Sequence, residues 1–229
     1  MKNALVTGAS RGLGLALARA LAERGWSLVI DARGADALEA ARTELAELTQ
    51  VVAVPGDVSE RDHRERLIAA VGGPLDLLVN NASSLGASPL QPLADYPLEL
   101  LEHVFRVNVV APLALVQRAL PILAPEARIL NVSSDAAVEA YEGWGGYGAS
   151  KAALDQLTNV LAAERPDLHV YAVDPGDMNT QMQQDAYPGE DVSDRPPPEE
   201  SVPGLLTLVE GELPSGRYSA RELALPIHA

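Results

Sequence analysis

The chain lacks cysteine and is poor in basic residues. None of its 229 residues is a cysteine, which excludes disulfide bonds, thiol catalysis and cysteine-ligated metal. Its 17 lysines and arginines are outnumbered by 32 aspartates and glutamates, so the formal net charge is −15. Nucleic acids and anionic membranes both require a basic surface, and we therefore expect neither as the main partner.

The sequence also gives no indication of a metal site, a membrane span or a signal peptide. The histidines have no ligand-like spacing; they are His63, His103, His169 and His228. No apolar stretch is long enough to cross a membrane, and the first residues enter a strand-like run at once. We therefore expect a cytoplasmic enzyme or binding protein that holds no metal.

What the chain does contain is an alternation of apolar runs and helix-like stretches. Hydrophobic residues make up 47% of it, and near-continuous apolar runs predict buried parallel strands at residues 4–6, 28–30, 51–54, 75–79, 128–132 and 169–173. Helical periodicity is present at residues 13–24, 35–48, 59–71, 98–120 and 147–163. This order predicts a doubly wound parallel sheet of the Rossmann type, with three α/β/α layers in a single domain over residues 1–229.

The one shift in composition lies near the C-terminal end. Residues 185–203 are rich in proline, aspartate and glutamate, which predicts an exposed loop within the domain. Such a loop is a candidate lid over a pocket, and a plain surface loop is the alternative. A short helix is predicted at residues 199–210 and a last strand at residues 216–219.

A glycine-rich turn joins the first predicted strand to the first helix. It has the sequence Thr7-Gly8-Ala9-Ser10-Arg11-Gly12-Leu13-Gly14. Glycines allow tight turning and close approach to a pyrophosphate, and a helix N-terminus offers free N–H groups and a favourable dipole. Glycines needed only for the turn conformation are the competing explanation, which the strand before and the helix after make weaker.

Tyr147 and Lys151 lie four residues apart in a predicted helix, and Ser134 lies thirteen residues upstream of Tyr147. Positions i and i+4 share one face of a helix. A lysine ammonium beside the phenol would lower the tyrosine pKa and prepare it to exchange a proton with a substrate oxygen. For this pair alone an ordinary helix face is the commoner explanation, so the prediction depends on a cofactor site elsewhere in the chain.

Taken together, the motifs resemble the short-chain dehydrogenase/reductase family over nearly the whole chain and in the expected order. The matching segments are residues 7–14, Asp57-Val58, Asn80-Asn81-Ala82, Asn108, Ser134, Tyr147 with Lys151, Pro175-Gly176 and Thr180. Ser83 departs from the family pattern, which has glycine after Asn-Asn-Ala. The resemblance implies the fold given above and an oxidoreductase that transfers a hydride between a nicotinamide and a carbonyl or alcohol.

The resemblance also implies catalytic roles. Tyr147 would be the general acid for carbonyl reduction or the base for alcohol oxidation, with Lys151 lowering its pKa and binding the nicotinamide ribose. Ser134 would hold the substrate oxygen, and Asn108 would position a water that links Lys151 to solvent. In the alternative explanations, Ser134 or its neighbour Ser133 satisfies backbone groups at a strand end, and Asn108 only kinks its helix.

The cofactor-binding residues implied by the resemblance follow the predicted strands. They are Gly8, Ser10, Arg11, Gly12, Leu13, Gly14, Arg33, Asp57, Val58, Asn80, Ala82, Tyr147, Lys151, Pro175, Gly176 and Thr180. Asp57 has a second explanation as a helix cap. Arg33, after the second strand, and Arg11 favour NADP(H) over NAD(H), because a guanidinium can make two bonds to the 2′-phosphate. Asp31 is an unfavourable neighbour for that phosphate if it points inward.

The substrate is indicated only by the residues expected around it. Tyr141, Trp144, Met178 and Met182 are candidate pocket residues, and they suit an aromatic or medium-sized carbonyl or alcohol. The family resemblance implies a homo-oligomer, a dimer or a tetramer. The alternative function is a non-catalytic protein that senses a dinucleotide, to which the departure at Ser83 lends some support.

Overall fold

A seven-stranded parallel sheet forms the middle layer of the protein. The computed structural model describes residues 1–224. The strands are β1 (Asn3–Val6), β2 (Ser27–Ala32), β3 (Val51–Pro55), β4 (Leu75–Asn80), β5 (Leu123–Val132), β6 (His169–Asp174) and β7 (Gly216–Ser219). They lie in the order β3-β2-β1-β4-β5-β6-β7, and each neighbouring pair is parallel. The predicted doubly wound α/β fold is confirmed.

Helices cover both faces of this sheet. They are α1 (Gly12–Glu23), α2 (Ala35–Leu45), α3 (Arg61–Ala69), α4 (Leu98–Phe105), α5 (Ala111–Ala119), α6 (Gly145–Glu164), α7 (Gln181–Ala186), α8 (Val202–Glu210) and α9 (Ala220–Ala224). None of the helices within residues 1–224 has the length and apolar character that a membrane span needs. In the same range, no group of three or more histidine, aspartate or glutamate side chains is placed to bind a metal.

The strands are apolar on both faces because both faces are covered. In β1, Ala4 and Val6 pack into a core with α1 and α8, whereas Leu5 packs into a second core with α3 and α5. Successive side chains of a strand point to opposite faces, so a strand covered twice has apolar residues at every position. This explains why the strands appear in the sequence as short continuous apolar runs.

The direction of the strand order reverses at β1, which has β2 on one side and β4 on the other. In an open parallel sheet the helices leave such a point on opposite faces and open a crevice at the carboxyl ends of the strands. The glycine-rich turn follows β1 and the Asn80-Asn81-Ala82 segment ends β4 and continues beyond it. The fold therefore brings these two sequence motifs to the same crevice.

Three predicted elements have different bounds in the structure. The single helix predicted at residues 98–120 is divided by a π-helical turn, Arg106–Val110, between α4 and α5. Strand β5 begins at Leu123 rather than residue 128, because Leu123 pairs with Leu75 across a shift in register. Residues 185–203 do not form one loop, since α7 extends to Ala186 and a 3-10 turn, Pro198–Ser201, leads into α8.

A buried carboxylate connects the glycine-rich turn, β2 and α3. Asp31, in β2, is 1% exposed; its Oδ1 accepts from the Gly8 amide at 2.8 Å and its Oδ2 lies 2.9 Å from Nε2 of His63, in α3. Arg66 can only donate to Nδ1 of this histidine, 3.1 Å away, so the neutral ring carries its proton on Nε2 and donates to Asp31. Burial raises the pKa of Asp31, and the bonds from His63 and Gly8 oppose that rise. The charge is tolerated because of these two donors.

We predict that His63→Ala destabilises the protein by about 3 kcal/mol at neutral pH, because it removes one of the two donors from a buried carboxylate. The loss of a donor raises the pKa of Asp31 further. Protonation of Asp31 therefore reduces the loss of stability as the pH falls, and deprotonation restores that loss as the pH rises. Urea unfolding of the variant and the wild type at neutral and mildly acidic pH measures both effects.

His63→Gln is the matched control, because its amide can still donate to Asp31. It should lose clearly less stability than His63→Ala. Equal losses in the two variants, with no dependence on pH, would show that packing rather than the hydrogen bond stabilises this region.

Candidate active site

The glycine-rich turn packs directly against the end of β4. Gly8 has φ +66°, and a Cβ there would lie 2.9 Å from Ala82 Cα, while a Cβ on Gly14 would overlap the Gly8 carbonyl oxygen. Thr7 Oγ1 accepts from the Asn81 and Ala82 amides at 2.9 and 3.0 Å, and the Asn81 side chain donates to the Thr7 and Gly8 carbonyls. Glycine is required here by backbone conformation and by close contact.

The turn leaves room for an anionic group at the start of α1. Gly12 has φ +57°, and a Cβ there would meet only Thr180 Cγ2, 3.7 Å away. Arg11 is the N-cap residue of α1, and its side chain makes no hydrogen bond to the first N–H groups of this helix. Ser10 is half-buried beside them and Leu13 is buried. Free N–H groups, the helix dipole and this gap fit the pyrophosphate of a dinucleotide.

The adenosine end of the predicted site holds one carboxylate and two arginines. Asp57 Oδ1 accepts from the Ser59 amide at 2.8 Å and so closes a turn before α3; the N-cap of that helix is Glu60, so the alternative role of Asp57 as a helix cap is wrong. Burial raises the pKa of Asp57, but the bonds from Ser59 and the charge of nearby Arg33 together outweigh this effect. The pKa of Asp57 is therefore lower than its usual value. Val58 is buried. Arg11 and Arg33 are exposed, and neither forms an ion pair within residues 1–224.

Neither Asn80, a predicted cofactor residue, nor Asp31, the expected unfavourable neighbour of the phosphate, has its side chain exposed in the crevice. Asp31 does point inward, but its carboxylate is held by Gly8 and His63 and is only 1% exposed, so it is shielded from the crevice. The Asn80 amide donates to Asn131 Oδ1 at 2.8 Å inside the sheet, so its side chain is directed into the protein core. Pro175, Gly176 and Thr180 lie on the crevice side, where they line a cavity.

Tyr147 and Lys151 share the buried face of α6. Lys151 is 2% exposed, its Nζ donates to the Val132 carbonyl at 2.7 Å and lies 5.5 Å from the centroid of the Tyr147 ring. Burial lowers the pKa of Lys151 to about 8. Burial raises the pKa of the Tyr147 phenol, whereas the hydroxyls of Ser83 and Ser134 lower it. The expectation of a lowered tyrosine pKa is therefore wrong for this structure, because desolvation of the phenolate dominates.

Ser133 and Ser134 both line the cavity that Tyr147 lines, but their hydroxyls have different surroundings. Its Oγ donates to Asp135 Oδ1 at 3.0 Å and accepts from the Ala136 amide at 3.1 Å. Ser133 is buried and its hydroxyl has no hydrogen-bond partner within residues 1–224. The thirteen-residue spacing from Tyr147 selects Ser134, whose hydroxyl is half-buried at the cavity rather than fully buried like that of Ser133.

Asn108 lies in the π-helical turn behind the phenol, and its amide is fully hydrogen-bonded. Oδ1 accepts from the Ser84 amide at 2.8 Å and from Ser83 Oγ at 3.2 Å. Nδ2 donates to the Ser84 carbonyl and to Ser150 Oγ, each at 2.9 Å. All four bonding positions of the side chain are occupied, so its amide acts as a structural link in this structure.

A cavity of about 200 Å³ opens in front of Ser134 and Tyr147. The four predicted substrate-binding residues all line it: Tyr141, Trp144, Met178 and Met182. Tyr187 and Arg195 line it too, and the Arg195 guanidinium lies 5.3 Å from the Tyr187 ring centroid. Arg195 was not predicted, although it lies in the segment marked by its composition. Asp135, Asp174 and Asp177 give the same cavity an acidic side.

Arg217, in β7, is another residue that the sequence analysis missed. Its guanidinium donates to the Ser134 carbonyl and to Asp155 Oδ2, each at 3.0 Å. It therefore fixes the backbone of the serine against α6, from a position 83 residues further along the chain. No local pattern marks such a residue, since only the folded sheet brings it near.

Comparison with known proteins gives one family. The model of the short chain dehydrogenase family matches residues 2–191. The chain is 38% identical over 192 residues to the rhamnolipids biosynthesis 3-oxoacyl-[acyl-carrier-protein] reductase of Pseudomonas aeruginosa, covering 78% of this chain and 73% of that protein. It is 35% identical over 193 residues to a benzil reductase of Saccharomyces cerevisiae, covering 79% and 73%.

Solved structures agree with this result. A short chain dehydrogenase from Escherichia coli CFT073, complexed with NADPH, superposes with a TM-score of 0.84 at 26% identity and 96% coverage of both chains. A nicotinamide dinucleotide therefore occupies a closely similar fold. The chain belongs to the short-chain dehydrogenase/reductase family of oxidoreductases.

Proposed function

We propose that this protein transfers a hydride between NADP(H) and a carbonyl or alcohol substrate, with Tyr147 as the general acid or base. One observation supports this most strongly: the Tyr147 phenol and the Ser134 hydroxyl border one cavity, with Lys151 buried behind them. The glycine-rich turn supplies a cradle for the dinucleotide nearby. When bound, the dinucleotide supplies or accepts the hydride.

Burial gives the phenol a definite role in the reduction direction. A raised pKa keeps Tyr147 protonated at working pH, so it has a proton to give to the substrate oxygen. Ser134 would polarise that oxygen after turning its own proton away from Asp135. Lys151 would place a positive charge next to the phenolate that remains, and a pKa of about 8 lets it lose and regain a proton near neutrality. Asn108 fixes the π-helical turn behind these side chains. The proposed relay is a water near this turn that links Lys151 to solvent.

The lining of the cavity favours an aromatic or medium-sized carbonyl compound without strong negative charge. Tyr141, Trp144 and Tyr187 offer aromatic surface, and Asp135 lies among them, hydrogen-bonded to the Tyr141 hydroxyl at 2.9 Å. Carboxylates repel anionic substrates, whereas aromatic rings bind flat apolar groups. The relative named a benzil reductase is consistent with such a substrate, since benzil is an aromatic ketone. Residues 185–203 contribute Tyr187 and Arg195, which supports their role as a lid.

NADP(H) rather than NAD(H) is the proposed cofactor. Arg11 and Arg33 are exposed beside the start of α1 and the end of β2, without ion pairs within residues 1–224, and are available to a 2′-phosphate. Asp31, the one carboxylate of β2, is shielded by His63 and Gly8. The solved relative with NADPH supports the same choice.

A homo-oligomer is the proposed assembly, formed through the helices that begin near Leu98 and Tyr147. Helices α4, α5 and α6 and the π-helical turn between α4 and α5 carry exposed apolar side chains, namely Leu98, Val110, Leu113 and Val160. Apolar surface of this kind favours association when it is contiguous. Mass measurement in solution distinguishes a dimer from a tetramer.

We predict that Tyr147→Phe lowers kcat for carbonyl reduction by about a hundredfold to ten-thousandfold, because it removes the general acid. NADPH binding, followed by calorimetry, should stay within a few-fold of the wild type, since the turn at residues 7–14 is untouched. Initial rates of NADPH consumption with a panel of aromatic and aliphatic ketones measure the effect.

Tyr218→Phe is the matched control, because its hydroxyl donates to the Pro214 carbonyl, away from the cavity. It should retain full activity. Undiminished turnover in Tyr147→Phe would exclude the assigned proton donor. Tight NADPH binding with no turnover of any panel member by the wild type would favour a sensing protein instead.

We predict that Arg33→Ala and Arg11→Ala each weaken NADPH binding by about tenfold and leave NADH binding unchanged, since each removes a charged bond to the 2′-phosphate alone. Arg19→Ala, which breaks only exposed pairs with Glu44 and Glu199, is the control. Equal loss for both cofactors would contradict recognition of the phosphate by these arginines.

A further inference from the structure

Arg217, in β7, joins the end of β5 to α6. Its Nη2 donates to the Ser134 carbonyl at 3.0 Å, and its Nε donates to Asp155 Oδ2, also at 3.0 Å. A third acceptor, Asp174 Oδ2, lies 3.8 Å from a guanidinium nitrogen. Asp155 follows Lys151 by one turn of α6. The guanidinium therefore ties the backbone of Ser134 to the helix that carries the phenol.

The sheet directs Arg217 toward that helix. Arg217 pairs with Ala172 of β6, and successive side chains of a strand alternate between the two faces. Tyr218, the next residue, packs against the core that contains α1 and α8. Arg217 therefore points to the opposite face of the sheet, from which it reaches α6.

The backbone of Ser134 lies beyond the paired part of β5. The last residue pair between β5 and β6 is Val132 with Val173, two positions before Ser134. The Ser134 carbonyl accepts from the Ala137 amide at 3.1 Å, within the 3-10 turn that follows, and from Arg217. The first bond is local and moves with the turn. The second bond holds the turn in place relative to β7 and α6.

Two cations tie the end of β5 to α6, and their chemistry differs. Lys151 Nζ donates to the Val132 carbonyl at 2.7 Å, and in the proposed mechanism this lysine loses and regains a proton. A guanidinium keeps its protons throughout and directs its donors in a rigid planar fork. Asp155, whose side chain is 10% exposed, holds that fork through an ion pair. The tie through Arg217 therefore stays the same during a turnover.

We propose that Arg217 is a positioning residue, which holds Ser134 against α6 and so sets the distance from the serine hydroxyl to the Tyr147 phenol. Both groups have to reach one substrate oxygen, and a displacement of about 1 Å can lower a rate by about a hundredfold. The guanidinium contacts the backbone of Ser134 rather than its hydroxyl, so it acts through the serine and not on the substrate. This inference rests on the proposed function of Tyr147 and Ser134.

The first test is the rate of carbonyl reduction in Arg217→Lys and Arg217→Ala. Lysine keeps the charge but lacks the planar fork that serves both acceptors, and alanine removes both bonds. We expect kcat to fall by about tenfold in the lysine variant and by about a hundredfold in the alanine variant. The KM for NADPH should stay within about twofold of the wild type, because the dinucleotide cradle is untouched.

Arg128→Ala is the matched control. Arg128 also donates to a backbone carbonyl, that of Gly211 at 2.8 Å, and to a carboxylate, that of Glu212 at 3.2 Å. It pairs with His169 at the start of β6, at the edge of the sheet opposite to the cavity. Its loss removes the same kinds of bond away from Ser134, so kcat should equal that of the wild type.

A double-variant cycle separates positioning from a general loss of structure. Ser134→Ala already lacks the hydroxyl that Arg217 positions, so adding an Arg217 substitution should lower kcat by less than about twofold more. An equal fall in both backgrounds would overturn the proposal. An unchanged kcat in Arg217→Ala would also overturn it. Should the alanine variant fail to fold, as judged by circular dichroism, Arg217→Lys decides on both counts.

Hydrogen exchange, followed by mass spectrometry, requires no turnover and so separates this proposal from the proposed function. The Ala136 amide donates to Ser134 Oγ and the Ala137 amide to the Ser134 carbonyl, each at 3.1 Å. Residues 134–139 should exchange about tenfold faster in the Arg217 variants and at the wild-type rate in Arg128→Ala. Unchanged exchange overturns the role of Arg217. Faster exchange in a protein without any turnover would leave the Arg217 tie intact and reject the enzymatic role of Tyr147.

Discussion

A parallel sheet that is buried on both faces determines where everything else in this protein lies. Each strand must be followed by a crossover that covers one face, so all strands begin at one edge and end at the other. Segments that are far apart in the chain, such as the turn at residues 7–14, Ser134 and Thr180, therefore meet at the carboxyl edge. The reversal of strand order at β1 opens the sheet surface there and leaves space for a ligand.

Burial then determines the chemistry at one end of that crevice. Desolvation favours the neutral form of both side chains of α6, so it raises the pKa of Tyr147 and lowers that of Lys151. A phenol that holds its proton and an ammonium that can release one are a suitable pair for delivering a proton to an oxygen. The low polarity that produces these shifts also strengthens the hydrogen bonds made nearby, such as the one from Lys151 Nζ to the Val132 carbonyl.

The sequence was sufficient for the fold and the family because both depend on local patterns. Apolar runs identified the strands, and the spacing of Tyr147 and Lys151 gave one face of a helix, which the structure has. The direction of the tyrosine pKa was wrong because burial is a property of the whole fold and a helical neighbour is only one contribution to it. The π-helical turn at Asn108 was missed because apolar periodicity continues through it. Arg217 was missed because its contacts join distant parts of the chain, and Arg195 because the cavity that it lines is formed by distant segments.

Backbone groups form one end of the crevice and side chains form the other, so substitutions at the two ends have different effects. At the dinucleotide end, backbone groups and close glycine contacts form the cradle, so substitution at Gly8 or Gly14 changes the path of the chain itself. At the proton-transfer end, side chains make the contacts, and a single substitution exchanges one hydrogen bond while leaving the backbone in place. Ser83, which follows Asn80-Asn81-Ala82, belongs to the second kind: its hydroxyl bonds Asn108 Oδ1 at 3.2 Å.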